Sequence, residues 1–99
     1  MGENKAHKAT VNRILQRYGG EYNPEKGADV AMPFGTVEVE TEKTISEAPT
    51  QLQGYRGPVY IAGTNKAAID KALEVTKNTT IGVMDSQGNI IKSSTRKSK

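Results

Sequence analysis

The sequence predicts an α/β fold, a mixed β-sheet with helices packed on its faces, in the order αβββαβαβ with a short hairpin at the end. Three observations predict it. Val11, Ile14, Leu15 and Tyr18 fall at the spacing of one buried helical face. Two apolar runs, Ala28 to Met32 and Thr36 to Thr41, are separated by the turn residues Pro33-Phe34-Gly35, so the second returns antiparallel to the first. The nearly all-apolar run Val59-Tyr60-Ile61-Ala62 precedes a further helical stripe and a further strand, a strand–helix–strand unit.

The elements follow in order. A helix spans Lys5 to Tyr18 and is stopped by Gly19-Gly20. Residues 21–27 read as a short strand leading into a turn. The strands Ala28 to Met32 and Thr36 to Thr41 form the hairpin. A helix between Ser46 and Arg56 takes Ser46 as its N-cap, with Pro49 in the first turn, where its missing N–H is not needed. A Thr44/Glu47 capping box is the alternative start, but it sets Pro49 too deep. Gly57-Pro58 ends this helix, and Val59 to Ala62 is a strand covered on both faces. Gly63-Thr64-Asn65 turns the chain and caps a helix from Lys66 to Thr76, with Ile69, Ala72 and Leu73 as its apolar stripe. Thr79 to Met84 is a strand, Asp85-Ser86-Gln87-Gly88 a hairpin turn, and Asn89 to Lys92 the last strand.

A chain of 99 residues makes one domain, here residues 1–92, followed by a basic tail, 93–99. Apolar content is 34% and aromatic content 5%, so the core rests on Val, Ile, Leu, Ala and the four tyrosines. There is no cysteine, which excludes disulfides, thiolate zinc and a thiol nucleophile. A single histidine, His7, excludes a multi-histidine metal site within one chain. No long apolar stretch is present, so the expectation is a soluble, cytoplasmic protein with no membrane partner. The net charge of +3 and pI near 9.2 are mildly basic. The tail reads either as a solvated, disordered end or as an arm adding phosphate contacts. Lys5, Lys8, Arg13 and Arg17 on the first helix read either as its wet face or as cations that steer DNA.

Three acidic residues carry the functional argument. Alternate side chains of a strand share a face, so Val37 and Val39 turn into the core while Glu38 and Glu40 point together the other way. If the two runs pair, Asp29 joins the glutamates. Three convergent carboxylates repel one another, and a divalent cation relieves that repulsion. Mg²⁺ or Mn²⁺ takes oxygen ligands, and Asp29, Glu38 and the carbonyl of Val39 could supply half a shell, with Glu40 on a second metal. A metal there could polarise a phosphodiester and activate water. The competing reading is a glutamate pair on a solvated strand face.

Helix, hairpin bearing Asp29 and then Glu38-Val39-Glu40, helix, apolar strand: over roughly Lys5 to Thr80 the sequence resembles the PD-(D/E)XK nuclease superfamily. The resemblance implies a restriction-endonuclease-like fold, with Asp29 and Glu38 as metal ligands and Glu40 at the usual lysine position. Gln51-Leu52-Gln53-Gly54-Tyr55 is similar to the Gln-x-x-x-Tyr spacing of RecB-like members. There Gln51 would support the metal site and Tyr55 contact the nucleic-acid backbone; the simpler reading puts Tyr55 in the core with Leu52 and Gln51 on the surface. The sequence departs from the pattern at Ala28, where the family has proline, and at Glu40, where it has lysine. A lysine would position the attacking water and offset transition-state charge. Glu40 could instead bind a second metal or accept a proton, as in some restriction enzymes. Lys43 is a substitute if a bend returns it to the carboxylate face, and Arg56 and His7 are others. His7 reads as a helix-end residue at the core margin or as a phosphate contact, with Lys5 beside it.

The expected function is therefore a metal-dependent DNA endonuclease, with structure-selective cutting one version and RNA an alternative substrate. A homodimer, as in the archaeal Holliday-junction resolvases of this superfamily, would set two sites against two strands. The alternative is a non-catalytic member of the fold that binds nucleic acid or a protein, or, further off, an assembly subunit.

Overall fold

The computed structural model describes residues 5–22, 29–47, 52 and 57–95. Helix α1 is Lys5–Tyr18, followed by strands β1 (Glu21–Tyr22), β2 (Val30–Met32) and β3 (Gly35–Glu40). A short 3-10 turn, Ile45–Glu47, precedes β4 (Val59–Gly63), helix α2 (Lys66–Val75), β5 (Gly82–Met84) and β6 (Ile90–Lys92). The six strands form one sheet in sequence order. β1, β2 and β3 pair antiparallel, β3, β4 and β5 parallel, and β6 returns antiparallel to β5. The expected α/β architecture with a mixed sheet and flanking helices is present. Among the described residues no helix is long and apolar enough to cross a membrane.

Both sheet faces are covered. Val11 and Ile14 of α1 pack on Val30, Met32, Val37, Val39, Tyr60, Ala62 and Met84. On the opposite face Ala72 of α2 joins Ile45, Leu52, Val59, Ile61, Ile81 and Val83. The alternation along β3 and β4 follows from the pleat: Val37 and Val39 serve the first cluster, Val59 and Ile61 the second. All five residues of β4 are buried, as its unbroken apolar run predicts.

The helix ends follow local chemistry. Gly19 adopts φ +79° and its N–H bonds back to the Leu15 carbonyl, closing α1. Asn65 caps α2, its side chain accepting from the Ala68 N–H at 2.8 Å. α2 stands close to the end of β4: a Cβ on Gly63 would lie 2.7 Å from the Ile69 backbone nitrogen.

Two expectations change. Ser46 does not cap an α-helix. It sits inside the 3-10 turn, whose Ile45 is fully buried in the second cluster and so holds the chain against the sheet. Leu52 is buried, and the rest of the expected helix from residue 48 onward, including Gln51, Tyr55 and Arg56, lies outside the described residues. The first residues of the expected basic tail are also hydrogen-bonded to the sheet. The Ser94 hydroxyl accepts from the Val59 N–H and donates to the Thr80 carbonyl, and the Thr95 N–H bonds to the same carbonyl. Hydrogen bonding to the starts of β4 and β5 fixes these residues, which composition alone reads as tail.

Candidate functional site

Asp29 occupies the bend just before β2. Val30 pairs with Val37, so one step back along the ladder Asp29 comes opposite Glu38. Its Oδ2 accepts the Val39 N–H at 2.9 Å, and His7 Nε2 lies 3.3 Å from the same oxygen. The aspartate thus takes over a backbone donor of β3 where β2 has ended.

Glu38 and Glu40 share the β3 face that β4 continues through Ile61 and Gly63. That face is not a wet one. Glu38 is 7% exposed and Glu40 6% exposed, which removes the solvated-face reading. Both face the α2 side of the sheet, where Ile45, Leu52 and Ile61 cluster. Burying two carboxyls in such surroundings favours their neutral forms.

The titration behaviour follows. Burial, a hydrogen bond to Glu40 and the charges of Asp29 and Glu40 push the Glu38 carboxyl up to about 9, against a smaller opposing effect of the Asp29 N–H. Glu40 is also raised, by burial first and by the charge of Asp29. Its hydrogen bonds with Thr44 and Glu38 and the charge of His7 act in the other direction. Both carboxyls are thus raised, and the two titrate as a linked pair. Among the described residues, Glu38 Oε1 is buried with no hydrogen-bond partner. An orphaned carboxyl oxygen of this kind carries a full desolvation penalty, about 1–3 kcal/mol.

Asp29, Glu38 and Glu40 therefore interact with one another and with His7. Thr44 belongs to the same group, which its reading as a helix cap missed; its hydroxyl also accepts the Thr41 N–H at 3.1 Å. The spacing Thr41-x-x-Thr44 directly after a strand is the signal that could have found it. Lys43 is exposed in the turn after β3 and lines a shallow cavity of about 310 Å³ with Ala6, Thr41, Glu42, Thr64 and Asn65. Lys5 is exposed at the start of α1. Arg13 and Arg17 reach the β5–β6 turn instead, bonding to the carbonyls of Ser86 and Gln87. Lys92 bonds to the carbonyls of Thr79 and Ile81.

The donors at this site are all hard oxygens apart from His7, a set suited to Mg²⁺ or Mn²⁺ rather than to soft metals. Among the described residues no three His, Asp or Glu side chains stand at ligand spacing around one point. The buried Glu38 Oε1 is an oxygen that such a cation could use. Comparison of the chain with protein-family models, with curated proteins and with solved structures gives no match.

Proposed function

We propose that the protein is a metal-dependent nuclease that hydrolyses DNA phosphodiester bonds, built on a restriction-endonuclease-like version of the α/β fold. One observation carries the reading: two buried glutamates of β3 and the aspartate before β2 lie close enough for their charges to act on one another, and among the described residues one buried oxygen of Glu38 has no hydrogen-bond partner. A small domain with a lean core gains nothing in stability from such a cluster. The strand directions support the same reading, because an antiparallel β1–β2–β3 meander joined in parallel to β4 brings the start of β2 beside the second half of β3.

In this reading Asp29, Glu38 and the Val39 carbonyl hold Mg²⁺ or Mn²⁺. When bound, the ion polarises the phosphodiester and lowers the pKa of a water ligand. Glu40 accepts a proton or serves a second ion, in the position where the resembling family has lysine. Burial of the glutamates keeps water from screening the site, so a divalent cation there would draw off their protons and be held strongly by the carboxylates it forms.

The test is cleavage of supercoiled plasmid and of branched and single-stranded DNA in Mg²⁺ or Mn²⁺, by wild type and by Asp29→Asn and Glu38→Gln. Metal-dependent cutting that both variants lose supports the proposal. Metal binding without cleavage of any of these substrates, RNA included, gives the non-catalytic binding module instead. The substitution of Glu40 for lysine is the specific feature that favours that second reading.

A further inference from the structure

His7 stands within the first two turns of α1, and its Nε2 lies 3.3 Å from Asp29 Oδ2. The side chains are 15% and 17% exposed, so the pair is largely shielded from water. The same Oδ2 accepts the Val39 N–H at 2.9 Å. One carboxylate oxygen is therefore held by two donors from two different elements, α1 and β3. A carboxylate accepts, so the contact is a hydrogen bond in the tautomer that carries its hydrogen on Nε2. Asp29 itself sits in a bend rather than in a strand, so the sheet ladder does not fix its side chain.

We propose that His7 is a positioning residue of the metal site: its Nε2–H, with the Val39 N–H, anchors Asp29 Oδ2 and thereby sets the direction from which the carboxylate meets a divalent cation. This rests on the metal reading of Asp29 and replaces the expected phosphate contact of His7. A phosphate contact needs a ring nitrogen turned outward, whereas Nε2 is directed at Asp29 across a shielded gap and Nδ1 is buried. Outer partners that orient a metal-bound carboxylate typically change affinity by about 10–100-fold when removed.

The experiment is Mn²⁺ titration by calorimetry of wild type, His7→Ala, His7→Gln and Asp29→Asn, with melting of each protein in chelator as the check on folding. Gln is the conservative variant, since its amide nitrogen can reach where Nε2 stands. We expect His7→Ala to bind Mn²⁺ at least about tenfold more weakly and His7→Gln to recover most of that loss. In cleavage assays His7→Ala should need more metal yet approach the wild-type kcat at saturating Mn²⁺, with the KM for DNA unchanged. Should His7→Ala fail to fold, His7→Asn, which is too short to reach Oδ2, should show the same weakened binding. Wild-type affinity in His7→Ala overturns the proposal while leaving the nuclease reading intact. A raised KM for DNA at saturating Mn²⁺ overturns it in favour of a phosphate contact. Wild type that takes up no Mn²⁺ overturns both readings, and the wild-type isotherm alone tells that case from the others.

Discussion

Two carboxylate sites in this molecule were built by opposite rules. Asp85, in the β5–β6 turn, is surrounded by donors: its oxygens accept the N–H of Gln87 at 2.8 Å, the N–H of Asn89 at 2.9 Å and the Asn89 side-chain amide at 3.0 Å. Partial burial would raise its pKa, but these bonds and the charge of Arg17 outweigh it, and the group is held below its ordinary value. Glu38, in the middle of β3, meets burial, two other carboxyls and, among the described residues, no partner for its Oε1, and is pushed up to about 9. Asp85 is an acid that shapes a turn. Glu38 is an acid that the fold tolerates. The contrast sets a carboxyl whose oxygens are supplied with donors against one raised by burial and like charge, the state that a bound cation would relieve most under the proposed function.

Replacing each acid should therefore move stability and activity in different directions. Glu38→Gln removes the ionisable group and keeps its shape. Cleavage should fall by about a thousandfold or more, equivalent to roughly 4 kcal/mol of transition-state stabilisation. Stability without metal at pH 8 should rise, on the order of 1–3 kcal/mol, because no proton need be retained in the folded state. Chemical denaturation in chelator reads the second effect and plasmid cleavage the first. A Glu38→Gln protein that loses both stability and activity would make Glu38 an ordinary core residue and erase the contrast.

Much of this was legible in the sequence. The spacing of Val11, Ile14 and Tyr18, the Gly19 stop, the Asn65 cap and the Asp85–Gly88 turn are local signals, and each element formed where they put it. The alternation Val37-Glu38-Val39-Glu40 correctly sent the valines to one face and the glutamates to the other. What alternation could not say is that the glutamate face is also covered. That depends on where Ile45 and α2 come to rest, which is tertiary information. The hydrogen bonds of Ser94 escape the sequence for a similar reason: its partners, Val59 and Thr80, lie 35 and 14 residues away. The contact of His7 with Asp29 spans 22 residues and joins a helix to a bend, so no periodicity announces it.

The Asp85 side of the comparison makes a smaller prediction. Asp85→Ala strips one acceptor site from three donors in an exposed turn. Water can replace part of what is lost, so the expected destabilisation is about 1 kcal/mol. The turn is also clasped by α1, since the Tyr18 hydroxyl donates to the Gly88 carbonyl at 2.6 Å and Gly88 takes φ +85°. Loosening should therefore stay local, with faster amide exchange at Gln87 and Asn89 and unchanged cleavage. Lost cleavage in Asp85→Ala would mean that the hairpin, and not only β3, feeds the site.

The pH dependence of stability tests both sites in one protein, and its two limbs have opposite causes. Above the ordinary value of 4.5 the unfolded chain releases the Glu38 proton, while the folded protein keeps it until about 9. The unfolded state then binds fewer protons, so stability without metal should fall as pH rises through that window, by at most about 1.4 kcal/mol per pH unit for one proton. Asp85 works the other way. Its folded pKa lies below 3.8, so its contribution is fully present above that value and is lost as pH falls through the folded pKa. Its partners are exposed, which makes this acid limb the shallower of the two. Glu38→Gln should reduce the alkaline limb, leaving the part due to Glu40, and spare the acid limb, and Asp85→Ala should do the reverse. If Glu38→Gln leaves the alkaline limb unchanged, the buried proton resides elsewhere, and the β3 glutamates no longer stand apart from an ordinary surface acid.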